Sequence, residues 1–335
     1  MGLGTGHGAP TGHGAPTRRA VLTAGLAAAA VTASLTAGCT RHGTAGDDGR
    51  APQSSTPAPG RRQATGSVLA VKIDNVAAAR PQTGLDAADV VYAEQVEGGL
   101  SRLMAVYATR LPEVVGPVRS ARESDLELLR QFDRPTLAFS GAQKRLLPLI
   151  RRAPLRPESP AQASGAYYRG SGRPAPHNLY LRPAELMPDG APGRAALTTG
   201  FRYGPAPAGG TVTASRTVRY PAARFTFTWS AGRNGWLVSM DGTPARTTAG
   251  NRPAPATVVV QHVRVTKSAY HDVLGNYTPF TETVGTGKAE VLRDGRSYEA
   301  TWSRPQATDG TTFTGADGSP VNFADGQVWV VFAKA

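Results

Sequence analysis

Apolar positions fall along the chain in three regimes. From Ala20 to Ala37 they form one uncharged stretch with no amphipathic period. From Val68 to Arg152 short apolar runs alternate with helical spacing. Val68–Ile73 is a run closed by Asp74-Asn75, which predicts a strand and a turn. Ala88–Glu94 and Arg102–Ala108 predict two more strands, and the Glu97-Gly98-Gly99 link predicts that they pair as a hairpin. Leu126, Leu128, Leu129 and Phe132 recur at helical spacing, predicting a helix over Ser120–Phe132 capped by Ser120 or Ser124. Thr136–Phe139 reads as a strand, Lys144–Arg152 as a helix, and 153–180 as a loop rich in Pro and Gly. From Thr211 onward strand follows strand. Phe225–Trp229 and Trp236–Met240 flank Asn234-Gly235, and Lys288–Arg293 and Ser297–Trp302 flank Asp294-Gly295, a hairpin signal. Thr257–Val265 and Val328–Phe332 complete the set. The expected fold class is α+β: a mixed α/β N-terminal domain over 67–205, then a mainly antiparallel β C-terminal domain over 206–335.

The first regime is not a core element. Two copies of Thr-Gly-His-Gly-Ala-Pro precede Arg18-Arg19, and the apolar stretch ends in Leu35-Thr36-Ala37-Gly38-Cys39. A positive start, an apolar middle and small residues at the end make a secretion signal over residues 1–38. Thr17-Arg18-Arg19-Ala20-Val21-Leu22 resembles a twin-arginine signal, with Val21 where Phe is usual. The ending resembles a bacterial lipobox, which makes Cys39 the lipidated first residue of the mature chain. Cys39 is the single cysteine of the sequence, so no disulfide and no cysteine metal site is expected. Thr40–Gly66, rich in Ser, Thr, Pro and Gly, reads within 39–66 as a disordered tether with a reach of about 30 Å. The expected location is the outer face of the cytoplasmic membrane, with the bilayer as a partner through the N-terminal lipid.

The formal charge of +13 is carried mainly by Arg, with Lys only at 72, 144, 267, 288 and 334. Residues 1–66 hold six Arg against two Asp, so the remainder keeps about +9. Arg presents a planar fork to phosphate or carboxylate. The charge is spread rather than striped with aromatics, so nucleic acid is not expected as a partner. The low Lys content also matches a GC-rich coding bias.

Val71-Lys-Ile-Asp-Asn75, Arg80-Pro-Gln-Thr-Gly-Leu85, Ala88-Asp89, Glu97-Gly-Gly-Leu-Ser-Arg102, Gly116-Pro-Val-Arg-Ser-Ala-Arg122 and Pro176-His-Asn-Leu-Tyr180 form an ordered series of blocks. In these blocks the chain resembles the YerB-like bacterial lipoproteins, a pair of domains of unknown function, from about Val68 to Phe332. The resemblance implies a two-part extracytoplasmic body and brings no catalytic role.

Candidate chemistry therefore rests on the residues. Gly116–Arg122 is a Gly-Pro turn leading into a helix, with Arg119, Ser120 and Arg122 beside free N–H groups, which suits anion binding. His177-Asn178 sits in a polar loop and suits orienting a ligand. With Asn75, Arg80 and Arg102, these residues make up an Arg-lined cleft for an anionic or glycan envelope ligand, or for a protein partner. The alternative is a cell-wall hydrolase or transferase in which Glu97 or Asp74 works with His177. A third reading has Arg119 and Arg122 bracing the fold in ion pairs with Asp89, Glu94 or Glu97. No cofactor or metal is expected, and no catalytic signature points to an enzyme.

Overall fold

The computed structural model describes residues 1–2, 66–272 and 275–335, so the signal segment, Cys39 and the tether up to residue 65 lie outside the described residues. In chain order the elements are β1 (Leu69–Asp74), β2 (Val90–Gln95), β3 (Ser101–Tyr107), α1 (Glu123–Leu129), β4 (Thr136–Ala138), α2 (Leu147–Arg152), β5 (Arg156–Glu158), β6 (Tyr167–Arg169) and β7 (Leu179–Leu181). There follow β8 (Thr211–Val212), β9 (Ser215–Tyr220), β10 (Ala223–Ser230), β11 (Gly235–Met240), β12 (Thr243–Pro244), β13 (Thr257–Val263), β14 (Val265–His271) and β15 (Tyr277–Thr281). The last are β16 (Gly285–Arg293), β17 (Arg296–Arg304), β18 (Thr312–Thr314) and β19 (Val328–Lys334).

A strand that reads as a solid apolar run must be covered on both faces. That is the state of β1, β2, β3 and β19, which lie side by side in one 11-stranded sheet, in the order β18-β17-β16-β13-β19-β2-β3-β1-β4-β5, with β8 as the eleventh strand, paired to β17. Alternate residues feed two cores. Leu69, Val71 and Ile73 of β1 join Val91, Ala105, Trp329 and Val331 on one face. Val68, Ala70, Val90, Met104, Val330 and Phe332 point to the other. A smaller sheet, β12-β11-β10-β9, covers the first face. Phe227 meets Trp329 edge-on at 5.9 Å and 73°, and Phe225 meets the same ring at 6.3 Å. On the second face α1 and α2 lay down Leu128, Leu129 and Ile150. Each such buried side chain contributes about 1.5–3 kcal/mol by leaving water. The sheet draws strands from both halves of the chain: β19 pairs in parallel with β13 and with β2.

Most of the expected strands form, with the β2–β3 and β16–β17 hairpins antiparallel as the turn signals require. The α+β expectation needs correction. The described structure is mainly sheet, 41% strand against 13% helix, and the helices of the N-terminal half are short. The helix expected over Ser120–Phe132 spans only Glu123–Leu129, and its N-cap is Arg122 rather than either serine. The reason is tertiary. Arg122 is held extended by Glu97, while Asp125 Oδ2 accepts the Arg122 N–H at 2.7 Å. Ser124 is buried and accepts a bond from Thr281 N at 2.9 Å. The stretch 153–180 carries β5, β6 and part of β7 rather than loop alone. The run Thr257–Val265 breaks at Arg264, and β14 and β15 leave the sheet as a separate hairpin arm. Ser268 on this arm donates to Glu123 of α1 at 2.5 Å.

At the β16–β17 turn Asp294 and Gly295 both take left-handed backbone, φ 51° and 71°. A Cβ on Gly295 would lie 2.9 Å from Trp229. Gly295→Ala will therefore cost about 1–2 kcal/mol, read as a lower urea midpoint at unchanged slope.

Candidate functional site

The second face of the central strands is not wholly apolar. Asp74 stands directly opposite Arg102 across β1 and β3, and Arg102 stands opposite Glu94 across β3 and β2. Lys72 lies two residues before Asp74 on the same face. These charges sit at the carboxyl ends of β1 and β2, where open sheets with parallel strands place their crevices.

The Gly116-Pro117 segment completes the arrangement. Val118 bridges Ile73, Asp74 N donates to Pro117 O at 2.9 Å, and Arg119 N donates to Lys72 O at 2.8 Å. Val118 N donates in turn to Leu179 O at 2.6 Å, which draws the His177-Asn178 loop alongside. Gly116 is needed for this approach, since a Cβ there would meet Leu179 O at 2.9 Å.

Asp74, 0% exposed, is the centre. Its Oδ2 lies 2.8 Å from His177 Nδ1 and 3.1 Å from Arg119 Nε, and its Oδ1 lies 3.2 Å from Arg102 Nη1. Beside it, Arg122 donates to both oxygens of Glu97 at 2.7 Å, and Thr278 of the hairpin arm donates to Glu97 Oε1 at 2.5 Å. Burial works against the Glu97 anion, but the Arg122 bonds and charge outweigh it and hold this carboxyl below its ordinary range. Burial lowers Arg102 to about 10, with Asp74 opposing the shift and Arg119 and Arg122 adding to it. Among the described residues Arg102 Nε is a buried donor without a hydrogen-bond partner, while buried Arg119 Nε meets Asp74 only as an ion pair outside hydrogen-bond geometry.

Beneath these residues Lys72 is enclosed by Glu94 and by Asp125 of α1, the latter at 2.7 Å. Burial would strip its proton, but the two carboxylates more than compensate and raise it. Burial raises Glu94 to about 7, against the pull of Lys72 and with the push of Asp125.

Above them opens a cleft of about 830 Å³, lined by Glu97, Arg102, Arg119, Ser120 and Arg122, by Lys144 and Arg145 before α2, and by Tyr270, His271 and Thr278 of the hairpin arm. Leu100, Ala142 and Leu146 give it apolar walls. The remaining sequence candidates lie elsewhere. Asn75 is buried, donating to Ser101 Oγ and accepting from Gln82 and Arg80. Arg80 also pairs with Asp241 at 2.8 Å, so both brace the start of the Arg80–Leu85 block. Asn178 accepts from Arg169 and donates to Gly170 O and Arg173 O, closing its own loop. Sequence reasoning missed Lys72, Asp125, Lys144, Arg145, Tyr270 and Thr278. The adjacent Lys144-Arg145 after Ser140-Gly141 was a visible signal, whereas Thr278 arrives only through the arm.

The arrangement bears on chemistry. Both Glu97 oxygens are taken by Arg122 and Thr278, which leaves no carboxyl proton to give. Asp74 faces three cations or potential cations without exposure, which suits orienting His177 rather than acid catalysis. Among the described residues no three His, Cys, Asp or Glu side chains gather as a metal site, and no helix is long and apolar enough to cross a membrane.

Comparison with known proteins agrees with this architecture. Residues 55–194 match "Protein of unknown function (DUF3048) N-terminal domain", and residues 216–330 match the corresponding C-terminal domain. A Bacillus subtilis protein described as "Putative lipoprotein YerB" is 46% identical over 65 residues, a match that spans 19% of this chain and 20% of that relative. The crystal structure of the YerB protein from Bacillus subtilis superposes with a TM-score of 0.67 at 19% identity, over 80% of this chain and 91% of that one, a likeness of fold. With both family segments present in order and the fold shared, this chain belongs to the YerB-like DUF3048 family.

Proposed function

We propose that this protein is a lipid-anchored extracytoplasmic binding protein that takes an anionic group in the cleft over Asp74. The observation that carries the reading is the set of guanidiniums at the cleft floor. Arg102, 6% exposed, carries a buried Nε that no protein group accepts, and Arg119 spends its Nε on the ion pair with Asp74 outside hydrogen-bond geometry. Such donors cost free energy unless a ligand or water meets them. Lys144 and Arg145, both exposed, extend the positive field to the rim. Phosphate and carboxylate both match the fork geometry of arginine. The described charges do not leave the cleft uniformly basic, since Glu97, Glu123 and Asp272 also line it. They favour an anionic group attached to a larger molecule with apolar or hydroxylated parts, as on an envelope glycan. The lipobox at Cys39 and the lipoprotein description of the relative support the anchor.

The test is calorimetric titration of the protein with inorganic pyrophosphate and with a soluble muropeptide bearing free carboxylates. Arg119→Ala with Arg122→Ala will weaken binding of whichever probe binds by at least about tenfold, the loss of one charge-assisted contact. Circular dichroism checks that the fold persists. Unchanged affinity for both probes sinks the proposal.

A further inference from the structure

The end of the fold where the chain enters from the tether bears a group of arginines that the cleft does not use. Ser67 Oγ donates to Asp133 O and Arg134 O at 2.8 and 2.7 Å, and Thr136 N donates to Val68 O at 2.9 Å. Thr136 pairs with Leu69 on one side and with Arg156 on the other, so the amino ends of β1, β4 and β5 lie together. Arg130 closes α1 just before this turn, and Arg151 and Arg152 close α2 just before β5. Arg130, Arg134, Arg151 and Arg152 are all exposed, and none makes an ion pair or a side-chain hydrogen bond among the described residues. Exposed Asp133 is the adjoining carboxylate, and Glu158 is already taken by Arg156. The cleft residues stand at the opposite, carboxyl end of β1, roughly 17 Å away along the strand at its usual rise.

We propose that this arginine face docks on the anionic headgroups of the bilayer that holds the anchor, which leaves the cleft turned away from the membrane. The inference rests on the anchored reading for its biological setting, but the contact itself needs no lipid on Cys39. The described fold begins beside these four unpaired guanidiniums, so an anchor at Cys39 would bring this face, before the rest, to the bilayer. Anionic headgroups supply the complementary charge. An exposed, unpaired arginine is strongly attracted to such a surface at low ionic strength and loses that attraction as salt screens it.

The test uses residues 59–335, which lack Cys39 and the signal, and sucrose-loaded vesicles. One set is phosphatidylcholine with three-tenths phosphatidylglycerol, the other phosphatidylcholine alone. Sedimentation is expected with the anionic vesicles only, lost on raising the salt. Arg130→Gln, Arg151→Gln and Arg152→Gln together will weaken it on the order of a hundredfold, at about fivefold per charge. Arg219→Gln, Arg233→Gln and Arg246→Gln remove as much charge from exposed positions on the small sheet and its turns, and will leave binding within about twofold. Equal losses in the two triple variants, or no binding to anionic vesicles, overturn the proposal. Metabolic labelling of Cys39 with a fatty acid reports separately on the anchor, so failure of one reading is distinguishable from failure of the other.

Discussion

Lys72→Met will destabilise the fold by about 3–5 kcal/mol at pH 7.5, because it strands two buried carboxylates without their cation. Lys72 is 0% exposed and touches Glu94 and Asp125, which are themselves buried. Asp125 is further committed, since it accepts the Arg122 N–H at the start of α1. The same cluster sets a pH dependence in the unaltered protein. Burial raises Glu94 from its ordinary 4.5 to about 7 in the folded state. A carboxyl raised on folding holds its proton more tightly when folded. Its stabilising contribution is therefore full below pH 4.5 and is lost as pH rises through 7, a change of up to about 3 kcal/mol. Glu94→Gln removes this slope. Urea titrations at pH 5 and pH 7.5 check both statements: the deficit of Lys72→Met should shrink at pH 5, where Glu94 is already neutral. A loss below about 1 kcal/mol at pH 7.5 would contradict the arrangement.

Asp74→Asn is the second large effect. Arg102 is 6% exposed and faces Asp74 directly across the strand pair, with Arg119 and His177 on the same carboxylate. Neutralising Asp74 leaves a buried guanidinium with no counter-charge nearer than Glu94 or Glu97. A fall of about 3–5 kcal/mol is expected, or on the order of 10 °C in Tm for a body of this size. The double variant Asp74→Asn, Arg102→Met should recover part of it, because the unpaired charge leaves with its partner. If Asp74 instead served as a catalytic acid, the substitution would leave Tm nearly unchanged and abolish an activity. Differential scanning calorimetry separates the two.

Much of the central sheet was legible in the sequence because its strands are covered on both faces and read as apolar runs. Asp74, Arg102 and Glu97 could be singled out because polar residues interrupt those runs at their ends. What each one touches was not legible. That Arg122 serves Glu97 while Arg119 serves Asp74 depends on the bend of the Gly116-Pro117 segment across the end of β1, and no local period encodes it. Lys72 inside an apolar run resembled a strand position like any other. Its partner Asp125 comes from α1, and only packing of that helix on the sheet brings them together. The hairpin arm was missed because β14 is half exposed and its register with β15 is interrupted between Lys267 and His271, which blurs the alternation. Without the arm, Thr278 and the Tyr270 wall of the cleft could not be anticipated.

The place of β19 has a consequence for cooperativity. β19 lies between β13 and β2, in the middle of the sheet rather than at its edge. Through it the strands of the two family segments share one hydrogen-bonded ladder, and its Trp329 meets Phe225 and Phe227 across the core. Neither segment therefore closes its own sheet without the other. The two segments should melt together in a single transition rather than as separate domains.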